Sequence, residues 1–295
     1  VNGVELRLFA PNLPLPRNIG GVALALGQIV VALAFLYGAF TRQAAVVLAT
    51  IGALAFLFVA AGLVPITASS GHWPITEWFL HFAMRRSVVT HALAVPAPTI
   101  DLDEPAMILR GAGHFETGCR PCHGSPGEPL PAIPQAMTPH PPALAPRMGT
   151  WASGELFYIV KHGVKFTGMP AWPTQHRDDE VWAVGAFLRL LPGLGAENYA
   201  RLVRGGESSL GEMADGAPAA PAAPDTVRAV CARCHGMDGR GRGAGAFPTL
   251  AGQRLDYMQR AMRAYAEGHR HSGLMQPLAR SLPEASRQAA LEYYA

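Results

Sequence analysis

A five-residue motif that occurs twice constrains this chain more than any other feature of its sequence. The motif reads CRPCH at 119–123 and CARCH at 231–235. Its two copies contain all 4 cysteines among the 295 residues, so none is left for a disulfide elsewhere or for a separate catalytic thiol. A C-x-x-C pair serves as a redox dithiol, as half of a zinc site or, with a following histidine, in the covalent attachment of a c-type haem.

The histidine after each second cysteine favours haem attachment. A redox dithiol needs no histidine there, and with 11 histidines in 295 residues two such neighbours would rarely arise by chance. A zinc ribbon brings its two C-x-x-C pairs within about 15–20 residues of each other, whereas a whole segment and a linker separate these. In haem attachment the thiols form thioethers with the vinyl groups and the histidine binds the iron. The predicted haem-binding residues are Cys119, Cys122 and His123, and Cys231, Cys234 and His235.

The N-terminal part of the chain is strongly apolar. Two runs without a charged residue, 19–40 and 44–66, are separated by only three residues that include Arg42. At about 1.5 Å rise per residue each run could cross a hydrocarbon layer of about 30 Å. We therefore expect residues 1–70 to form a transmembrane helical hairpin in membrane lipid. A secretory signal peptide is the alternative for the first run, but its apolar segment would span about 7–15 residues.

We expect the hairpin to be an anchor or a docking surface. Neither apolar run contains a His, Asp, Glu, Lys or Arg side chain, and a membrane haem or a proton path would need one. An aromatic segment follows it, so we expect residues 74–93, within a connector over 71–104, to form a helix on the membrane surface. Haem attachment implies the exported, periplasmic side of a bacterial inner membrane, and Arg42 then lies in a cytoplasmic turn. Four arginines, Arg7, Arg17, Arg85 and Arg86, would then lie on the exported side and oppose this topology, which therefore rests on the haem motifs.

Residues 105–195 resemble a class I cytochrome c, an all-α domain. Gly111 and Phe115 stand where this family has a glycine and an aromatic residue in its first helix, and 178–190 match its last helix. Within that helix Val181, Val184 and Leu188 form one apolar face.

Between these helices the segment KFTGMPAW resembles the methionine loop of the family. The resemblance implies Met169 as the sixth iron ligand. The alternatives by residue type are Met137, Met148 and His162, which do not stand at the methionine position of this loop.

Residues 225–295 resemble each half of the bacterial dihaem cytochromes c. The segment FPTLAGQ at 247–253 is the most specific part, and the resemblance implies Met275, just before the last helix, as the second sixth ligand. His269 and His271 are the alternatives. We interpret the glycine-rich stretch 239–243 as a loop at the haem edge, because it follows a haem motif and not a strand.

The segment 196–224 is rich in Gly, Ala and Pro and predicts a semi-stiff linker that carries the second haem on a movable arm. Residues 225–295 hold 10 Lys and Arg against 6 Asp and Glu, while 96–195 hold 7 against 9. We therefore expect the second domain to dock on an acidic redox partner, with Arg240 and Arg242 at its haem edge.

His/Met ligation fills all six positions of an iron and suits one-electron transfer rather than catalysis. We therefore expect a membrane-bound dihaem electron carrier, not an enzyme, with no small-molecule substrate and no nucleic-acid partner. It would serve a respiratory chain and deliver electrons to a terminal oxidase, with quinol-cytochrome c reductase or a dehydrogenase as further redox partners. The alternatives are the electron-acceptor subunit of a membrane-bound dehydrogenase, a dihaem peroxidase and a haem sensor.

Overall fold

The computed structural model describes residues 27–33, 42–204, 223–242 and 245–295, and the chain divides into two units, 1–66 and 67–295. Every regular element in these described ranges is helical, as expected for an all-α protein. In the first unit, residues 27–33 are helical and helix α1 spans Arg42–Ala60.

The predicted transmembrane hairpin over 19–40 and 44–66 is not supported. Among the residues that the structure describes, no helix is both long and apolar enough to cross a membrane. Helix α1 ends at Ala60, inside the second apolar run, and Gly62 then adopts a left-handed backbone with φ 70°. Most of the first run lies outside the described residues.

The second unit begins with helix α2 (Pro74–Ala92), close to the helix expected over 74–93. Its inner face packs on the domain that follows, where His91 stacks on Tyr158 and the Arg85 guanidinium lies 4.9 Å from the ring centroid of Trp151. Trp78 and Phe79 are exposed on the same helix. Contact of these rings with a membrane stays a prediction.

The first motif-bearing domain contains helices α3 (Pro105–His114), α4 (Ser153–His162) and α5 (Asp178–Leu190), the last over the range that the sequence predicts. Three acidic residues in the first turn of α5 complement its dipole. Helix α3 crosses α5 where Gly111 lies against the Ala183 carbonyl, and a Cβ at Gly111 would clash with that oxygen. The core beneath the crossing contains Phe115 and Phe187.

Residues 196–204, which the sequence assigns to the linker, form helix α6 (Ala196–Arg204). Tyr199 and Val203, one turn apart, are buried in the core of the first domain. The Tyr199 hydroxyl also donates a hydrogen bond to the Glu116 carboxylate. Helix α6 therefore extends the packing of this domain, and the remaining linker residues, 205–222, lie outside the described part of the chain.

The second motif-bearing domain contains helices α7 (Leu255–Glu267), α8 (Met275–Ser281) and α9 (Glu284–Tyr294). The last of these begins at Glu284, directly after Pro283, while Ser281 is the last residue of α8 and does not cap α9 with its side chain. Met258 and Met262, one turn apart on α7, lie in the core that this helix forms with α9 and are 3% and 8% exposed.

Candidate haem sites

Both C-x-x-C-H motifs have the same local structure. Each lies where a π-helical turn passes into one turn of α-helix, and the segments are Phe115–Cys119 with Arg120–His123, and Val227–Cys231 with Ala232–His235. Helical backbone places residues i, i+3 and i+4 on one face, so two thiols and an imidazole point to the same side. Gly124 and Gly236, with φ of 69° and 76°, end the two turns.

The motif histidines are prepared to bind a metal through Nε2. Nδ1 of His123 lies 2.9 Å from the carbonyl oxygen of Pro142, and Nδ1 of His235 lies 2.9 Å from that of Pro248. Because a carbonyl only accepts, each Nδ1 carries the proton and each Nε2 keeps a free lone pair. Burial lowers the pKa of both rings, which favours the neutral form that ligation requires.

The four cysteines are free thiols, and the surroundings of the first cysteine of each motif do not suit redox chemistry. Burial raises the pKa of Cys119 to about 12 and that of Cys231 to about 11. A reactive dithiol depends instead on a lowered pKa and a populated thiolate. Within the described residues no three His, Cys, Asp or Glu side chains assemble as a zinc site would require. The residues present therefore fit thioether attachment of a haem.

The loop with Met169 is closed by its own hydrogen bonds. The backbone N–H of Val164 donates to the Met169 carbonyl at 3.2 Å, and the N–H of Met169 donates to Oγ1 of Thr167 at 3.1 Å. The terminal methyl of Met137 lies against Gly168, so a second thioether reaches this loop.

Met148 and His162, which by residue type could also ligate the first iron, have different surroundings. Met148 is buried in the domain core, and His162 is exposed beside Tyr158. Met169 as sixth ligand stays a prediction.

Met275 is the first residue of α8 and packs partly against the core of the second domain. Ser272 fixes the entry to this helix, since its Oγ accepts hydrogen bonds from the N–H groups of Leu274 and Met275 at 3.3 and 3.2 Å. Of the two histidines that could replace it, His269 pairs with Glu267 on the surface and His271 stacks on His176 of the first domain. Met275 as second sixth ligand also stays a prediction.

The loop after the second motif folds back onto it. The N–H of Gly241 donates to the His235 carbonyl at 2.8 Å, and the N–H of Arg242 to the Cys234 carbonyl at 3.1 Å. This agrees with its interpretation as a loop beside the haem motif and not a phosphate loop.

Arg242 connects the two domains. Its guanidinium donates to the carbonyl oxygens of Leu202 and Val203, at 2.9 and 2.7 Å, in the last turn of α6. These carbonyls have no partner within a helix, so Arg242 caps α6 from the other domain. Both terminal nitrogens of Arg242 therefore have acceptors inside the molecule, and its contact with a redox partner stays a prediction.

Further contacts join the domains near α3 and α5. Arg110 Nε donates to the carbonyl of Ala246 at 3.2 Å, and Arg177 Nη1 to that of His271 at 2.9 Å. The domains are packed together within one compact unit, so the expectation of a movable arm is wrong. Sequence reasoning missed these arginines because their acceptors are backbone atoms of distant segments.

Glu180 of α5 is the least exposed carboxylate at this interface. Its side chain accepts hydrogen bonds from the Trp172 indole at 3.2 Å and from the N–H of Gly273 at 2.6 Å. The sequence assigns Glu180 only to the acidic first turn of α5, and nothing in that pattern indicates a partner in the second domain.

Two family models match the chain. The model described as "Cytochrome C oxidase, cbb3-type, subunit III" matches residues 106–188, and the one described as "Cytochrome c" matches residues 224–290. Each match covers one of the two C-x-x-C-H motifs.

Relatives that match parts of the chain are named as a cytochrome c or as electron acceptors. Cytochrome c-554(548) of Halomonas halodenitrificans is 37% identical over 68 residues, which are 22% of this chain and 81% of the relative. The thiosulfate dehydrogenase electron acceptor of Thiomonas intermedia is 35% identical over 87 residues, 30% of this chain and 40% of the relative. A protein of the same name from Stutzerimonas stutzeri is 37% identical over 60 residues, 20% of this chain and 28% of the relative.

The chain thus spans less than half the length of both thiosulfate dehydrogenase electron acceptors and most of the length of cytochrome c-554(548). Together with the free Nε2 atoms, the unpaired thiols and the two matched domains, these similarities show that the chain belongs to the cytochrome c family, as an electron-transfer protein with two covalently bound c-type haems.

Proposed function

We propose that this protein relays single electrons between redox proteins on the exported side of a bacterial membrane and delivers them to a terminal oxidase. The observation that carries the proposal is the pair of motifs in which each histidine offers Nε2 beside two unpaired thiols. The location rests on the motifs, since haem c is attached on the exported side. The terminal oxidase is supported by the match of residues 106–188 to a cbb3-type oxidase subunit.

The residues of the chain have defined parts in this function. The four cysteines would hold the haems covalently, His123 and His235 would each offer Nε2 to one iron, and Met169 and Met275 would each offer a thioether to one iron. When bound, each haem supplies reversible one-electron chemistry at iron. The carbonyls of Pro142 and Pro248 fix the orientation of the imidazoles.

Packing beside the first motif fixes the side chain of Arg120. Glu116, 8% exposed, pairs with Arg120 of the motif at 3.2 Å and accepts the hydroxyl hydrogen of Tyr199 from α6.

Stopped-flow kinetics with the holoprotein would test the acceptor. The protein, reduced beforehand, is mixed with a purified cbb3-type oxidase under oxygen, and reoxidation is followed in the visible haem bands. We expect catalytic reoxidation that saturates with the concentration of this protein. Reoxidation no faster than with oxygen alone would contradict a terminal oxidase as the acceptor.

A second function is favoured by the names of two relatives. Both thiosulfate dehydrogenase electron acceptors are more than a third identical to this chain over their matched segments. The protein would then accept electrons from a dehydrogenase. Reduction of the oxidised holoprotein by thiosulfate and a purified thiosulfate dehydrogenase, compared with either alone, tests this alternative.

A further inference from the structure

Glu180 lies at the N-terminal end of α5, between the two haem domains, and is 3% exposed. Its Oε2 accepts the Trp172 indole N–H at 3.2 Å and the Gly273 backbone N–H at 2.6 Å. Its Oε1 pairs with the guanidinium of Arg177 at 3.2 Å. Both oxygens of this buried carboxylate are therefore engaged, and by three different segments of the chain.

Two of these segments carry the sixth ligands proposed above. Trp172 lies three residues after Met169 in the first methionine loop, and Gly273 lies two residues before Met275 in the second. The indole of Trp172 packs directly on Gly273, where a Cβ would clash with the ring. One carboxylate of the first domain thus holds both loops together.

Arg177 keeps the position of Glu180 well defined. Its Nε and Nη2 form a bidentate pair with Asp179 at 2.7 and 2.8 Å, and its Nη1 also donates to the His271 carbonyl at 2.9 Å. A buried charge is tolerated only when such partners satisfy it, and charge-assisted hydrogen bonds are stronger and more directional than neutral ones. The network therefore fixes the position of the second methionine loop relative to the first domain.

We propose that Glu180 is a positioning residue shared by the two haem sites. It fixes the loops of Met169 and Met275 in one arrangement, so that a change at this carboxylate alters ligation and reduction potential at both irons. The proposal rests on the proposed function, in which these methionines are the sixth ligands. Its negative charge also favours the oxidised iron, because haem potentials respond to nearby charge, hydrogen bonding and burial.

The test compares Glu180→Gln with the wild-type holoprotein in a potentiometric titration and in the weak near-infrared band of Met–Fe(III) haem. Glutamine keeps the shape but removes the charge and leaves Arg177 unpaired. We expect the band to lose intensity at both sites and both midpoint potentials to shift, because loss of methionine ligation lowers a haem potential and loss of the carboxylate charge raises it. Single variants Met169→Ala and Met275→Ala, each retaining one band, assign the changes to the two sites.

Asp178→Asn is the matched control. Asp178 lies in the same turn of α5, but its carboxylate pairs with Lys161 of the first domain, at 2.6 Å. We expect the second site to keep its potential and its band in this variant. Trp172→Phe removes one hydrogen bond without a change of charge and should weaken the band of the first site alone.

The outcomes separate this inference from the proposed ligands. If the wild-type protein lacks the Met–Fe(III) band, Met169 and Met275 are not the sixth ligands, and the shared role of Glu180 is contradicted as well. A wild-type protein with both bands, whose Glu180→Gln variant keeps both potentials or changes at only one site, contradicts the shared role alone. If Glu180→Gln does not fold, Glu180→Asp replaces it in the test, because the shorter side chain keeps the charge but cannot reach both loops. An unchanged Met–Fe(III) band in Glu180→Asp would also contradict the shared role.

Discussion

The two motif histidines show how a single hydrogen bond determines the chemistry of a residue. A carbonyl oxygen at Nδ1 fixes the tautomer, and Nε2 is then the only nitrogen that can bind a metal. His114 is the opposite case, since neither ring nitrogen has a partner among the described residues although the side chain is buried. The same residue type therefore offers a free Nε2 at two positions and is an uncharged core residue at the third.

The sixth ligands can be tested one residue at a time. Met169→Ala and Met275→Ala should each remove about half of the near-infrared Met–Fe(III) band of the oxidised holoprotein, because each removes the thioether from one iron. The measurement is the absorption spectrum at fixed haem concentration. Met137→Ala is the control for the first site, since this methionine reaches the same loop at Gly168. If Met137→Ala removes the band and Met169→Ala does not, the assignment of Met169 is wrong.

His114 should make stability depend on pH. Burial, with smaller contributions from Arg110 and Arg177, lowers the pKa of His114 from 6.5 to about 3 in the folded protein. Below pH 6.5 the unfolded chain binds a proton that the folded chain does not. Stability is therefore fully present above pH 6.5 and falls by up to about 1.4 kcal/mol per pH unit as the pH decreases towards 3.

The variant His114→Phe isolates this effect. It keeps a ring against Trp172, whose centroid lies 5.4 Å from that of His114, but has no site for a proton. Melting temperatures by circular dichroism at pH 7.5 and 5 should therefore differ less in the variant than in the wild type. The exposed His269, replaced by Gln, serves as the control. Equal pH dependence in the wild type and His114→Phe would show that His114 is protonated in the folded state.

At the scale of elements, two glycines on α3 allow close approach on two different faces. Gly111 faces the backbone of Ala183 in α5, within the first domain. At Gly113 an added Cβ would lie 2.8 Å from the Phe247 ring and 3.7 Å from Sγ of Cys234, both in the second domain. Helix α3 therefore packs on its own domain and on the neighbouring haem motif.

Gly113→Ala should weaken the packing of the second domain on α3. The new methyl group overlaps the Phe247 ring, and overpacking of this kind costs about 1–3 kcal/mol. Gly118→Ala is the control, because nothing lies within 4 Å of an added Cβ there. We expect a lower melting temperature for Gly113→Ala and no decrease for Gly118→Ala. Equal melting temperatures would mean that α3 and the second motif are not in close contact.

The sequence predicted the elements whose signals are local. The segment 178–190, with its apolar face, predicted the observed bounds of α5. Helix α6 was missed because its nine residues adjoin a Gly- and Ala/Pro-rich stretch, although Tyr199 and Val203 have helical spacing. The predicted hairpin is not supported, since no helix in the described part of the chain is both long and apolar enough to cross a membrane.

At the scale of the molecule, the arrangement of residues 67–295 depends on contacts that no local pattern encodes. Glu180 with Gly273, Arg177 with His271 and Arg242 with Val203 are far apart in the chain. The haem motifs could be predicted from the sequence because covalent attachment requires a fixed spacing. The interface between the domains could not, since its acceptors are mainly backbone carbonyls that any residue provides.

Arg242 should determine whether the two haem domains unfold together. Its guanidinium satisfies carbonyls of α6 and also that of Arg233, at 2.8 Å, in the second motif, so Arg242→Ala leaves acceptors of both domains without their donor. We expect calorimetry to show one cooperative transition of the haem domains in the wild type and a separation into two in Arg242→Ala. Arg240→Ala is the matched control, because the Arg240 side chain is 81% exposed on the same loop and pairs only weakly with Asp238, at 4.0 Å. A single transition in all three proteins would show that the domains are held by their remaining contacts without the cap on α6.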